Sequence, residues 1–202
     1  MQWLPHLNLV GKHAILGASK YHWIRYSDEK IVEAYKKFRD IQRGTELHEI
    51  ASKLIKNGIR VEPLDKTFNM FVNDAIGYHM QSEQILFYSE NCFGTADAIS
   101  FKNDILRIHD LKTGETKTHM EQLMIYAALF CLEYKKKPGE IQIILRIYQN
   151  NEIIELIPDV DDIAHIMDRI IKADKIISAL REQENWNDWI WIVSLWYTKT
   201  FG

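Results

Sequence analysis

Cysteine is scarce: Cys92 and Cys131 are the two in 202 residues, with no CxxC spacing and no zinc or iron–sulfur signature. Both are expected as reduced thiols in a core. Long apolar runs are missing too. The richest, residues 189–197, is interrupted by Ser194 and falls well short of the ~20 apolar residues of a spanning helix. No apolar segment follows a basic start at the N-terminus, so neither a signal peptide nor a membrane partner is expected, and the chain reads as cytoplasmic. Positive charge is not in excess, since 25 Lys+Arg against 28 Asp+Glu leave a net charge of −3. No global positive field therefore argues for a polyanion. A surface for one would have to be local, and the run at 135–137 (Lys-Lys-Lys) reads first as the solvated end of a helix. No Pro/Gly/Ser-rich linker, internal repeat or low-complexity segment divides the chain, and no glycine-rich phosphate loop occurs. A content of 47% hydrophobic and 26% charged residues is that of a globular protein with a full core, which excludes disorder.

Against these absences, one stretch stands out. Residues 92–114, CFGTADAISFKNDILRIHDLKTG, hold two alternating runs joined through Lys102-Asn103, the pattern of a β-hairpin. Phe93, Asp97, Ile99 and Phe101 share one face of the first strand. Leu106, Ile108, Asp110 and Lys112 share one face of the second. With a two-residue loop Phe101 stands opposite Asp104 and Asp97 opposite Ile108. Asp97 and Asp110 then become diagonal neighbours, roughly 7–8 Å apart at Cβ. An apolar face that carries two carboxylates and an ammonium is costly unless the charges are paired or bind metal.

The rest of the chain supplies helices and strands around that hairpin. Residues 1–27 read as irregular, aromatic and mildly basic. A helix starting at Ser27-Asp28-Glu29 runs to about Ile41 and breaks at Arg43-Gly44. A second runs from Thr45 to near Gly58 with Leu47, Ile50, Ala51, Leu54 and Ile55 as its apolar stripe. His48 borders that stripe and by itself reads as a packed histidine. Residues 67–81 look helical, and a strand begins at Glu83, by itself a surface acid. After the hairpin, Thr118 and Glu121 fit a capping box opening a helix to about Tyr134. On it Gln122 and Tyr126, at i and i+4, share one face. Residues 140–157 form a second hairpin signal turning at Asn150-Asn151, followed by an amphipathic helix over about 159–183. Residues 1–185 are expected as a single domain. The tail 186–202 holds four of the six tryptophans and shows no clear helical period. An edge strand, an oligomer contact and added sequence are all open for it.

Asp97, Asp110 and Lys112 suit one kind of chemistry. Two carboxylates bind Mg²⁺ or Mn²⁺, hard cations that favour oxygen ligands. A lysine beside the ion can orient or deprotonate a water and stabilise charge on a phosphate. The competing account is a buried Asp–Lys ion pair.

Four motifs in order, each on the expected element, carry a resemblance. They are Gly44-Thr-Glu-Leu-His48, Gly94-Thr-Ala-Asp97, Asp110-Leu-Lys112 and Gln122-Leu-Met-Ile-Tyr126. Together they resemble the PD-(D/E)XK nuclease superfamily, more closely its RecB-like branch with phage recombination exonucleases and CRISPR-associated relatives. The resemblance implies an α/β fold, a restriction-endonuclease-like core with a central mixed β-sheet flanked by helices, and motifs at 44–126. It implies one or two Mg²⁺ (or Mn²⁺) ions held by His48, Asp97, Asp110 and the Leu111 carbonyl. Lys112 becomes the catalytic lysine, with Gln122 and Tyr126 lining the site and Glu83 in support. The superfamily's Pro-Asp is Ala96-Asp97 here, and the iron–sulfur cysteine quartet of some relatives is absent, so no cluster is expected.

The function implied is a metal-dependent deoxyribonuclease, an exonuclease of phage or bacterial DNA recombination, replication or repair. DNA is the substrate, and recombination or replication proteins and a homo-oligomer are further expectations. Two other classes stay open: a DNA-binding or assembly subunit active only within a complex, and a phosphohydrolase of small molecules.

Overall fold

The computed structural model describes residues 15, 16, 18–114 and 119–201. The chain falls into two compact units, Met1–Leu47 and His48–Gly202. A 3-10 helix, Ala18–Arg25, precedes helix α1, Asp28–Lys56. The Ser27 hydroxyl accepts a bond from the Lys30 amide at 3.3 Å, so the expected helix start is present. The expected break at Arg43-Gly44 is not. Glycine costs a helix about 1 kcal/mol against alanine but keeps its N–H, so the hydrogen-bond ladder continues. Thr45, instead of opening a second helix, returns its hydroxyl to the Ile41 carbonyl at 3.2 Å. The helix stops where expected, at Gly58, whose φ of +64° suits glycine. There the Ile59 amide bonds to the Leu54 carbonyl at 2.9 Å.

The second unit is α/β: a five-stranded mixed sheet in the order β1-β2-β3-β4-β5, flanked by helices. Helix α2 is Thr67–Gly77, and strand β1, Gln81–Ser89, starts two residues ahead of the expected Glu83. Strands β2 (Cys92–Lys102) and β3 (Ile105–Leu111) form the anticipated hairpin in a different register. Its turn is Asn103-Asp104, both with positive φ (52° and 56°), the conformation that matches the twist of a two-residue hairpin loop. Phe101 therefore pairs with Leu106 and Ile99 with Ile108. Helix α3, Glu121–Glu133, crosses over to β4 (Gln142–Gln149), which lies parallel to β3, and β5 (Glu152–Leu156) returns antiparallel through Asn150-Asn151.

Two expectations about helix ends need correction. Helix α3 starts at Glu121 with Met120 as N-cap and no side-chain cap bond; Thr118 lies outside the described residues. The Met120 carbonyl closes the first turn with the Leu123 and Met124 amides, and burial of Leu123, Ala127 and Ala128 drives the helix. Helix α4 runs from Val160 to Phe201, through the tryptophan-rich tail. No glycine or proline falls in that span to stop it.

Apolar residues fill both sides of the sheet. Leu86, Ile99, Leu106, Ile108 and Leu145 pack with Leu123 and Ala127 of α3 and Ile163 of α4. Ala98, Leu111 and Tyr148 pack with Ala51 and Ile55 of α1 and Phe71, Val72 and Ala75 of α2. With helices on both faces, β3 is buried almost throughout, which explains why two ionisable residues in it, His109 and Asp110, lose water. Among the described residues, no helix is long and apolar enough to cross a membrane. Both cysteines are free thiols, and burial pushes that of Cys131 up to about 11.

Candidate functional site

Strand alternation fails at one place in the hairpin. Ala96 and Ala98, two residues apart, should share a face, yet Ala96 packs with the α3 cluster and Ala98 with the α1–α2 cluster. Their β1 partners behave alike. Gln84, opposite Ala96, lines a groove beside α3, whereas Ser82, opposite Ala98, meets the Ser52 hydroxyl of α1 at 3.0 Å. Between each pair sits an acid, Glu83 on β1 and Asp97 on β2. Glu83 has φ +54°, a left-handed conformation that costs a residue with a Cβ about 1–2 kcal/mol. Such outliers persist where the surroundings impose them, commonly at functional sites.

The break lets both acids reach helix α1. One oxygen or nitrogen each from His48, Glu83 and Asp97 lie within 4.8 Å of one another, an arrangement able to hold a metal ion. His48 Nδ1 stands 3.3 Å from Asp97 Oδ2, and that oxygen also accepts the Leu111 amide at 2.9 Å. Leu111 thus fixes Asp97 through its backbone. The corrected hairpin register places Asp110 level with Asp97, one step past the last ladder pair, Ala98 with His109, instead of diagonal to it. The two carboxylates therefore confront each other more directly than the sequence suggests.

Electrostatics follow from that crowding. Burial, then the charge of Asp97, raises the Asp110 carboxyl, opposed by its bond from Lys112. Partial cover and the same neighbour raise Glu83. The bond to Asp97 raises His48, burial opposes it, and the charges of Asp97, Asp110 and Glu83 add to the rise. Three carboxylates beside one lysine and one imidazole make an anionic pocket.

Lys112 joins the site to α3. Its Nζ donates to Asp110 Oδ1 at 3.1 Å and to Gln122 Oε1 at 3.0 Å, while Gln122 Nε2 donates to the Tyr126 hydroxyl at 3.0 Å. The i, i+4 spacing of Gln122 and Tyr126 is what lets them form one chain. Tyr126 in turn lies over Gly94, where an added Cβ would come within 2.8 Å of its Cε1. The glycine of the Gly94-x-x-Asp97 motif is needed here for close approach.

The donors fit a divalent cation. Asp110 Oδ2 is buried without a hydrogen bond, although Lys112 Nζ is 2.9 Å away, so its contact with lysine is ionic only. An orphaned carboxylate oxygen beside two more acids and an imidazole is a ready position for a metal, and oxygen-rich sites suit Mg²⁺ and Mn²⁺. Every side chain singled out in the sequence converges: His48, Glu83 and Asp97 form one group, and Asp110, Lys112, Gln122 and Tyr126 the other. Two features leave little trace in the sequence. The prominence of Glu83 depends on its backbone, which no pattern shows. A second polar cluster, Asp74, His109, Arg146 and Tyr148, was signalled only by charged residues inside apolar strands.

No curated protein and no solved structure matches the chain. A family model described as "Protein of unknown function (DUF2800)" matches residues 66–174, a span that holds Glu83, Asp97, Asp110, Lys112, Gln122 and Tyr126 and ends short of His48. That span is more than half of the 202 residues, and the chain belongs to this family.

Proposed function

We propose that this protein is a Mg²⁺- or Mn²⁺-dependent DNA nuclease on a PD-(D/E)XK core, an exonuclease of phage or bacterial DNA recombination, replication or repair. The observation that carries the reading is the meeting of His48, Glu83, Asp97 and Asp110 beside a lysine held in place on two sides. A buried ion pair alone accounts for Asp110 and Lys112 but not for two further acids and an imidazole at the same spot.

A bound divalent cation supplies Lewis-acid polarisation of a phosphoryl oxygen and a more acidic water. The chain's own groups do the positioning. The Leu111 amide fixes Asp97, and His48 braces the same carboxylate from α1. Asp110 and Gln122 hold the Lys112 ammonium, leaving it able to orient a water for in-line attack and to offset charge on the phosphate. Tyr126 holds Gln122, and Gly94 gives Tyr126 room.

End-labelled linear DNA and closed circular DNA, incubated with Mg²⁺, Mn²⁺ or EDTA, test the proposal. Metal-dependent loss of the linear substrate alone is expected, and Lys112→Ala should slow it about 10³-fold. Intact substrates with either metal, or an unimpaired Lys112→Ala protein, would sink the reading.

A further inference from the structure

Between β1, β2 and the C-terminal half of α3 lies a cavity of about 360 Å³. Gln81, Gln84, Phe101, Phe130, Tyr134 and Lys136 line it. Its volume falls in the range of sites for small organic groups. Its wall is aromatic: the Phe101 and Phe130 centroids are 5.1 Å apart, and those of Phe130 and Tyr134 4.8 Å. Tyr134, which packs against Phe130 and lines the cavity, is 50% exposed. Lys136 Nζ lies 5.1 Å over the Phe101 ring. Lys135 precedes it, and among the described residues no acidic side chain lines the cavity. A positively charged, aromatic cleft in a chain of net charge −3 is a local departure with a sign.

Position adds to composition. Gln84 directly follows Glu83 of the metal-binding group. Gln122, Tyr126 and Phe130 of α3 and Tyr134 at its C-cap recur every four residues, forming one ridge about 18 Å long at 1.5 Å per residue. That ridge runs from the lysine of the site to the aromatic wall. Stacking rings with nearby cations and carboxamides are how proteins hold unpaired strands: bases lie on rings of any sequence, and lysines follow the phosphates.

We propose that this groove seats the unpaired strand of a polynucleotide, a base against Tyr134 and a phosphate near Lys136, with the strand leading along α3 to the metal-binding group. This rests on the nuclease reading for what happens at that group, but the groove's own claim is binding. Fluorescence anisotropy in EDTA with fluorescein-labelled dT12, rU12 and a 12-base-pair duplex separates the two. Binding of dT12 should weaken about tenfold in Tyr134→Ala and be retained in Tyr134→Trp, which keeps a ring to stack on. Lys136→Glu should weaken it and lower its salt dependence by about one counterion. Duplex affinity should not change in Tyr134→Ala. An equal loss for rU12 supports a groove blind to the sugar. The proposal is overturned if Tyr134→Ala and Lys136→Glu bind dT12 like the unaltered protein, or if that protein binds no oligonucleotide. It is also overturned if Tyr134→Ala instead dissociates a homo-oligomer, which would make a second copy the occupant. Metal-dependent cleavage without a Tyr134 effect removes the groove and leaves the nuclease; binding through Tyr134 without cleavage does the reverse.

Discussion

His109 and Asp110 are neighbours on β3, both almost free of solvent, and they serve two unlike clusters. On the His109 side, Tyr148 donates its hydroxyl proton to Asp74 at 2.7 Å and stands 3.1 Å from His109 Nδ1. With that proton committed, the hydroxyl oxygen accepts from Nδ1–H, which leaves His109 Nε2 as a bare lone pair. Arg146 closes the group, donating to Asp74 at 3.1 Å and to Glu155 at 2.6 Å. Both acids there share Arg146, and the orphan atom, Nε2, is neutral. On the Asp110 side the orphan is a carboxylate oxygen, and three acids face one lysine. A buried neutral lone pair costs about 1–3 kcal/mol, whereas a buried carboxylate with two more acids beside it costs more unless a cation meets it. Acids bonded to a shared cation mark a structural network; an orphaned carboxylate oxygen beside further acids marks a binding site.

The contrast breaks most sharply with one substitution in each cluster. Asp97→Asn should weaken Mn²⁺ binding, followed by calorimetry, at least ~100-fold, the upper end of what losing a partner around a metal costs. Tyr148→Phe should leave Mn²⁺ binding intact and lower stability to urea by about 2 kcal/mol, because Asp74 and His109 each lose a buried partner. Equal Mn²⁺ affinity in Asp97→Asn would erase the distinction.

Acid should act through the His109 cluster. Burial, reinforced by Arg146 and Arg107, pushes His109 down to about 3. Above pH 6.5 the ring is neutral in both states and contributes nothing to the pH dependence. Between about 6.5 and 3 the unfolded chain takes up a proton that the native ring refuses, so stability declines as the pH falls. At pH 5 the loss is about 2 kcal/mol for this one group. Whatever His109→Gln costs at pH 7.5, urea melts should show that cost shrinking by about that amount at pH 5. A gap independent of pH would mean that His109 titrates normally.

The smallest effect sharpens the Asp110 cluster. Glu83→Gly removes both a left-handed residue with a Cβ and a carboxylate pressed by Asp97. A metal-free protein about 1 kcal/mol more stable, with weaker Mn²⁺ binding, is expected from thermal melts with and without the ion. Stability lost in both conditions would show that Glu83 is structural.

Much of the site was legible because its signals are local. Asp97 and Asp110 interrupt apolar alternation, Lys112 follows by two residues, and Gln122 and Tyr126 keep helical spacing. The Asn150-Asn151 turn and the Gly58 stop rest on backbone conformations those residues adopt readily. Where the sequence misled, another local rule won. Gly44 weakens a helix without stopping it, and the 184–201 stretch stays helical for want of a breaker. The hairpin slipped by two because Asn103-Asp104 favours positive φ at both positions, and no alternation pattern reveals that shift, since a slip of two keeps every face.

By itself, then, the sequence determined which residues carry charge into apolar strands, where helices and turns form, and that carboxylates and a lysine share one face. Those properties depend on neighbours within a few residues. Only the tertiary structure decided that His48 meets Asp97, that Glu83 leaves the strand pattern to join them, and that the ridge of α3 opens on an aromatic groove. Each depends on packing between segments far apart in the chain, where burial of apolar faces outweighs local preference and takes the strained or charged residues where the core allows.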